Sequence, residues 1–342
     1  MKKVVITGLL GQDGANMAEY LLSLKEKIKV FGMMRRSANA NLDNIKEFKN
    51  HPNFEICCAD LTDEISINKL VEDIQPDYFI NFGANSFVGC SWDMPLQVFD
   101  VNTLGVIRCL EAIRNIKPDC RFYSAGSSEE FGDVDYSPQD ITHPIKPRSP
   151  YGASKAAARH LVKVYRESYN LFAIHSILFN HEGLRRGEEF VTRKITKGVA
   201  KIAKLLNKGS NFAPIELGNM ESKRDWSDSE DFVKAVWLML NQPEPKEYVL
   251  SSNETHTVKE FVELAFEEAG IEGEWEGEGV DEKFVSEDGV LVRVNKKFYR
   301  PAEVSLLYGD SNPIREELGW KPEISFKELV SRMVRKDINN TA

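Results

Sequence analysis

Between a short β-branched run and an amphipathic stretch lies Gly8-Leu9-Leu10-Gly11-Gln12-Asp13-Gly14. Lys3 to Thr7 reads as a strand and Ala15 to Leu24 as a helix, so these glycines occupy a strand-to-helix turn. Glycine permits a tight turn and a close backbone approach, and a helix start carries N–H groups without intrahelical partners. Those donors, together with the helix dipole, suit a pyrophosphate. An ordinary glycine-rich turn has the same spacing. The strand before it, the helix after it and a βαβ unit of the right length favour a dinucleotide site contacted by Gly8, Gly11, Gln12, Asp13 and Gly14.

The alternation continues downstream. Lys29 to Met33 and Phe54 to Ala59 read as strands, Ile65 to Asp73 as a helix, Tyr78 to Phe82 as a strand and Asn102 to Asn115 as a helix. Arg121 to Ser124 is a strand, Ser154 to Tyr169 a long helix and Phe172 to Leu178 a strand. This order predicts an α/β fold with a doubly wound parallel Rossmann sheet. From Asn180 the pattern turns irregular, with basic loops, a helix near Val258 to Ala269 and a charged stretch from Glu272 to Glu287. The expected division is a nucleotide-binding domain over 1–178 plus about 226–250. A smaller, discontinuous α/β substrate-binding lobe then takes 179–225 and 251–342.

A chain of 342 residues suits two lobes sharing a cleft. Its net charge of -9 favours solubility and argues against a general nucleic-acid binder. The five cysteines form no CxxC pair and read as reduced thiols, and no metal site is expected. Gln12 and Asp13 break the first apolar run too early for a signal peptide. The longest apolar stretch, Ala235 to Leu240, reads as a buried helix face and falls well short of the roughly 20 residues of a bilayer span. The expected location is the cytoplasm.

The second strand ends in Met34-Arg35-Arg36-Ser37. An NAD site places a carboxylate there for the ribose 2′-hydroxyl, whereas NADP needs cations for its 2′-phosphate. Arg35 and Arg36 therefore favour NADP over a merely solvated basic turn. Asp60-Leu61, after the third strand, fits an adenine-edge contact or a plain helix N-cap.

Tyr151 and Lys155 stand four apart on one helix and so share a face. An ammonium near a phenol favours phenolate and lets tyrosine act as a base. Ser127 and Ser128, after the strand ending at Ser124, add a hydroxyl cluster. On a nucleotide-binding fold this triad points to oxidation of a sugar hydroxyl or a related alcohol. Glu129 is the informative addition. Plain alcohol oxidation needs no such carboxylate, but sugar dehydration does: once C4 is oxidised, a base must take the C5 proton, and the same group can protonate the departing C6 hydroxyl. A carboxylate at a helix start is the plain structural alternative.

At these residues the chain resembles the GDP-mannose 4,6-dehydratases of the extended short-chain dehydrogenase/reductase superfamily, over nearly its whole length. The specific stretches are Gly8 to Gly14, Pro147 to Gly152, Leu178 to Glu182, Arg185 to Thr196, Lys223 to Trp226 and Arg300 to Val304. The resemblance implies that Ser127, Glu129, Tyr151 and Lys155 are catalytic, with Tyr151 and Lys155 also meeting the cofactor. It implies that Ser86, Asn180, Arg186, Val191, Lys194, Arg224, Arg300 and Glu303 line a GDP-sugar site. Lys and Arg would neutralise the diphosphate, and Glu would accept from the guanine edge or a ribose hydroxyl.

The implied reaction is oxidation at C4, loss of water across C5 and C6, and reduction at C6, giving a 4-keto-6-deoxy sugar without net redox change. A 4-oxidase, an epimerase, a decarboxylase or a non-catalytic nucleotide sensor are the alternatives. The intact triad with Glu129 argues against the sensor. The family usually carries threonine at Ser127, tyrosine at Phe131, glutamine at Asn85 and histidine at Phe87. Changes around the triad would suit a sugar with an extra hydroxymethyl group on C6, GDP-D-glycero-D-manno-heptose, although drift around an unchanged GDP-D-mannose site gives the same pattern. The segment Ser37 to Asn44 lacks the arginine usual in the family's intersubunit loop, so the expected homo-oligomer is a dimer or a tetramer.

Overall fold

A computed structural model of the chain describes residues 1–38, 40–298 and 306–341. Its centre is a parallel sheet of seven strands: β1 (Lys2–Thr7), β2 (Ile28–Met34), β3 (Phe54–Cys58), β4 (Tyr78–Asn81), β5 (Arg121–Ala125), β6 (Ala173–Leu178) and β11 (Val249–Leu250). They stand in the order β11-β6-β5-β4-β1-β2-β3. β1 is flanked by β2 on one side and β4 on the other, so the chain reverses its direction of travel there. A crevice opens beyond the carboxyl ends of the strands at such a switch point, which is where ligands enter α/β sheets.

Helices cover both faces, and this is why the strands read as nearly continuous apolar runs. On one side lie α1 (Gln12–Ser23) and α7 (Ser229–Leu240); Met17, Leu21, Phe232 and Trp237 pack there with Val4 and Ile6 of β1. On the other lie α2 (Glu64–Ile74), α4 (Gly105–Ile116) and α5 (Pro150–Tyr169), where Leu70, Leu110 and Val162 pack with Val5. Alternate residues of β1 thus feed opposite cores, as strand geometry requires. Of the Ala235–Leu240 run in α7, Ala235, Val236, Trp237, Met239 and Leu240 are buried, whereas Leu238 is exposed, because six consecutive residues go round more than one helical turn.

Three helix starts lie three or four residues from expectation, and α1, expected from Ala15, begins at Gln12. α5 begins at Pro150, not Ser154, because Ser149 caps it through a bond from the Gly152 N–H and proline suits the first turn. The helix expected from Asn102 becomes α-helical only at Gly105; it is preceded by α3 (Pro95–Phe99) and a π-turn over Asp100–Leu104. Asn102 faces inward there, bonded to the Asn85 backbone and to Ser154.

The region after Asn180 is far more regular than its sequence suggests. β7 (Asn180–Glu182) pairs with β10 (Trp226–Asp228), and β9 (Lys223–Arg224) lies between β12 (His256–Thr257) and β16 (Leu306–Leu307). The charged stretch forms β13 (Glu274–Glu276) and β14 (Lys283–Ser286), which continue through β15 (Gly289–Val294) to β8 (Ile215–Leu217). Against these strands pack α6 (Val191–Asn207), α8 (Val258–Glu268) and α10 (Phe326–Thr341), burying Ile195, Val199, Phe261, Phe266, Leu329 and Met333. α9 (Asn312–Leu318) lies beside β11. Among the described residues no helix is long and apolar enough to cross a membrane.

Candidate active site

A cleft of about 950 Å³ runs from the glycine-rich turn to the second lobe, and its two ends differ in chemistry. At the first end, Gly8 has φ +67°, and a Cβ on Gly14 would stand 2.3 Å from the Gly8 carbonyl oxygen. Both positions therefore demand glycine. Gly11 is the N-cap of α1 and offers no side-chain acceptor, so the first amides of that helix remain available to a ligand. Gln12 Oε1, buried at the same point, has no hydrogen-bond partner among the described residues. This cradle fits a dinucleotide pyrophosphate.

Asp13 lies in the cleft wall but is already engaged. Its Oδ2 is 3.0 Å from His181 Nε2, while His181 Nδ1 lies 2.8 Å from the Phe179 carbonyl. Burial opposes charge on both groups, yet each offsets it for the other: the Asp13 carboxyl is held below its ordinary range and the His181 imidazole above its own. The pair ties the glycine-rich turn to β7.

Arg35 and Arg36 stand exposed just beyond β2 and outside the cleft lining. Asp60 is occupied locally, since its Oδ1 accepts from the Thr62 N–H and hydroxyl, both at 2.9 Å. The N-cap of α2 is instead Asp63, which accepts from Ile65 N. Leu61 is buried and its carbonyl accepts from Arg108.

The expected catalytic residues do converge. β5 delivers Ser127 and Glu129 on a single 3₁₀ turn, Ser128–Glu130, and the first turn of α5 delivers Tyr151. Gly152 allows the contact between them, because a Cβ there would stand 2.4 Å from the Glu129 carbonyl oxygen. Burial pushes the Tyr151 phenol well above its usual range, and a hydrogen bond with Ser127 draws it partly back. Burial lowers Lys155 to about 8, against the raising influence of Glu130 and Asp13. Lys155 Nζ donates to the Ala125 carbonyl at 2.8 Å and lies 5.9 Å from the Tyr151 ring centroid. The ammonium is thus anchored on the strand end beside the phenol, without a direct bond to the Tyr151 hydroxyl among the described contacts.

At the far end, Ser86, Asn180, Arg186, Val191, Lys194 and Arg224 all border the cleft. Arg186 lies 3.4 Å over the Phe190 ring, with its Nε 2.8 Å from Glu182 Oε2. Lys194 Nζ lies 3.4 Å over Phe298, and burial lowers the lysine's pKa against the pull of Glu216. Arg300 and Glu303 fall outside the described residues. Sequence reasoning passed over Phe190, Phe298 and His181, although all three lie within or beside stretches it singled out. It also passed over the buried pair Glu130 and His175, which no motif announced.

The sequence profile described as GDP-mannose 4,6 dehydratase matches residues 5–333. The GDP-mannose 4,6 dehydratase of Drosophila melanogaster is 42% identical over 348 residues, spanning 98% of this chain and 86% of that protein. The GDP-mannose 4,6-dehydratase of Yersinia enterocolitica is 42% identical over 357 residues, spanning 99% and 94%. Among solved structures, the dTDP-glucose 4,6-dehydratase of Streptomyces venezuelae with NAD bound superposes with a TM-score of 0.82. It is 20% identical and covers 99% of this chain and 97% of its own, so it bears on the fold alone.

Proposed function

The chain belongs to the GDP-mannose 4,6-dehydratase family, a family of hydro-lyases, and from that premise we propose that it dehydrates a GDP-linked manno-sugar with NADP as its bound cofactor. The observation that carries this reading is one cleft with Ser127, Glu129, Tyr151 and Lys155 near the glycine-rich turn and Arg186, Lys194 and Arg224 toward the other end.

The cationic end suits a diphosphate, leaving the sugar to reach the catalytic turn. Ser127 Oγ orients the C4 oxygen, and Tyr151 Oη accepts the proton of the C4 hydroxyl. Lys155 holds positive charge beside the phenol and so favours its ionised form. Glu129 takes the C5 proton, acidified by the neighbouring ketone, and returns a proton to the C6 hydroxyl as water leaves. A bound nicotinamide would supply the reversible two-electron exchange that this sequence needs, so the balance is one water lost. Gly8, Gly11, Gln12 and Gly14 would hold its pyrophosphate, and Arg35 and Arg36 the 2′-phosphate.

GDP-D-glycero-D-manno-heptose competes with GDP-D-mannose as the sugar. Phe87 borders the cleft with its ring centroid 6.1 Å from that of Phe190, an apolar wall where the family usually has a histidine. We favour the heptose on that ground. A single added group usually discriminates by only about 10- to 200-fold, so both sugars should react. Incubation with GDP-mannose, GDP-heptose and UDP-sugars, read by mass spectrometry, tests the assignment. Loss of one water from a GDP-sugar supports it, and loss of two hydrogens or conversion of UDP-sugars alone refutes it. A kcat/KM ratio strongly favouring GDP-mannose would reject the heptose preference alone.

A further inference from the structure

Directly behind the catalytic turn, Glu130 and His175 are both completely buried. Glu130 Oε1 accepts from the Ser127 N–H at 2.8 Å and lies 2.9 Å from His175 Nε2. His175 Nδ1 lies 3.3 Å from the Ser124 hydroxyl, within β5 itself. This arrangement is built rather than incidental. Gly126 precedes the turn, and a Cβ there would stand 2.3 Å from His175 Nε2 and 2.6 Å from Glu130 Oε1. Only glycine leaves space for the pair against the strand end.

The three residues that lead into the turn are each pinned by a different element. The Ala125 carbonyl receives Lys155 Nζ at 2.8 Å, and the Gly126 N–H donates to the Ser176 carbonyl at 2.9 Å. The Ser127 N–H meets Glu130. Without that acceptor, the first two anchors hold β5, and Ser127 keeps only the bonds it accepts within the turn, from the Glu129 N–H to its hydroxyl at 3.2 Å and from the Glu130 N–H to its carbonyl at 3.0 Å, while its own N–H is left without a partner. A buried carboxylate is costly unless its bonds are worth keeping, and its second oxygen has no partner among the described residues. An apolar side chain would cap the strand more cheaply.

We propose that Glu130, held in place by His175, is the positioning residue for Ser127 and Glu129. Its carboxylate fixes the Ser127 peptide, and thereby sets where the Ser127 hydroxyl and the Glu129 carboxyl point into the cleft. Glu130 does not touch substrate; it acts through the turn. This role rests on the dehydratase reading for its kinetic consequence and on the turn's geometry alone for its structural one.

The test uses the full chain loaded with NADP and whichever GDP-sugar it converts. Glu130→Leu removes the acceptor, and Glu130→Gln keeps a carbonyl oxygen at its place. Because the first variant strands His175, Glu130→Leu/His175→Leu is made alongside it. Both leucine variants should lose about 10- to 100-fold in kcat, the scale of a small misplacement of reacting groups. Their KM should stay within about twofold, the pattern of an interaction that serves the transition state only. Backbone amide exchange should quicken across residues 126–131 in the leucine variants and not in Glu130→Gln, which should keep kcat within about threefold of the parent. Wild-type kcat in a folded leucine variant, a rise in KM that accounts for the loss, or unchanged exchange at 126–131 would each overturn the proposal. If the unaltered protein converts no GDP-sugar, the dehydratase reading fails, and the exchange result alone then decides the role of Glu130.

Discussion

A phenol buried as Tyr151 is gives up its proton only when something offsets the cost of charge in apolar surroundings. Ser127, through a hydrogen bond, and Arg186, through its charge, draw the phenol down, and Lys155 is anchored on the Ala125 carbonyl with its Nζ 5.9 Å from the ring centroid. Removing the hydroxyl with Tyr151→Phe leaves the packing almost untouched. Turnover should fall by about 100-fold or more, the scale for losing a general base, with an unchanged melting temperature. Near-normal turnover would remove Tyr151 from the chemistry. Lys155 adds a pH dependence. Burial lowers it to about 8, so the ammonium predominates below that pH and the neutral amine above. Its support for the phenolate should therefore fade as pH rises through about 8, and kcat should decline on that side. A kcat that is flat or rising up to about pH 10 would show that Lys155's charge is not used.

At the scale of elements, local chemistry decides where helices begin, and this is where the sequence was read least sharply. α5 shows why: Ser149-Pro150 is a start signal that the Tyr151 spacing alone does not use. α6 shows the opposite difficulty. Arg193, Lys194, Lys197, Lys201 and Lys204 make the stretch look like a basic loop, but Ile195, Val199 and Ile202 recur at helical spacing and are buried. Charge on one face masked periodicity on the other. The glycine turn, the parallel sheet and the grouping of Ser127, Glu129, Tyr151 and Lys155 on one cleft were legible because each has a local motif or a run of alternation. Glu130 with His175, 45 residues apart, and Asp13 with His181, 168 apart, were not, since only the fold brings such pairs together. Asp63 gives this scale its prediction. It caps α2 outside the cleft lining, so Asp63→Ala should cost about 1 kcal/mol of stability. Activity at 25 °C should be unaltered. Thermal melts with parallel turnover assays check both halves, and a loss of kcat without a loss of stability would contradict them.

For the whole molecule the question is what keeps the two ends of the cleft in register. α10 packs on α6 and α8 in the second lobe, where Asp337 receives Arg193 at 2.8 Å and the Thr196 hydroxyl at 2.7 Å. From the same helix Arg332 reaches Asp228 at 2.8 Å and Glu230 at 2.9 Å, and Asp228 is the N-cap of α7 on the sheet. Arg332 therefore links α10 of the second lobe to α7, which packs on the α1 helix that follows the glycine-rich turn. Asp228 is nearly inaccessible, and burial raises its carboxyl to about 6 although Arg332 pulls the other way. Because its folded pKa lies above the unfolded 3.8, this group favours folding most in acid, and that benefit is lost as pH climbs toward about 6. Arg332→Ala would raise the folded pKa further, so the penalty would keep growing beyond that point. The variant should be destabilised by about 2 kcal/mol at pH 8, less than for a fully buried pair because Arg332 is partly exposed. The deficit should shrink markedly at pH 5, where Asp228 is largely protonated in either protein. Melting curves of the two proteins at both pH values decide the matter: an equal deficit at pH 5 and pH 8 would mean that Arg332 acts by packing and not by holding a buried charge.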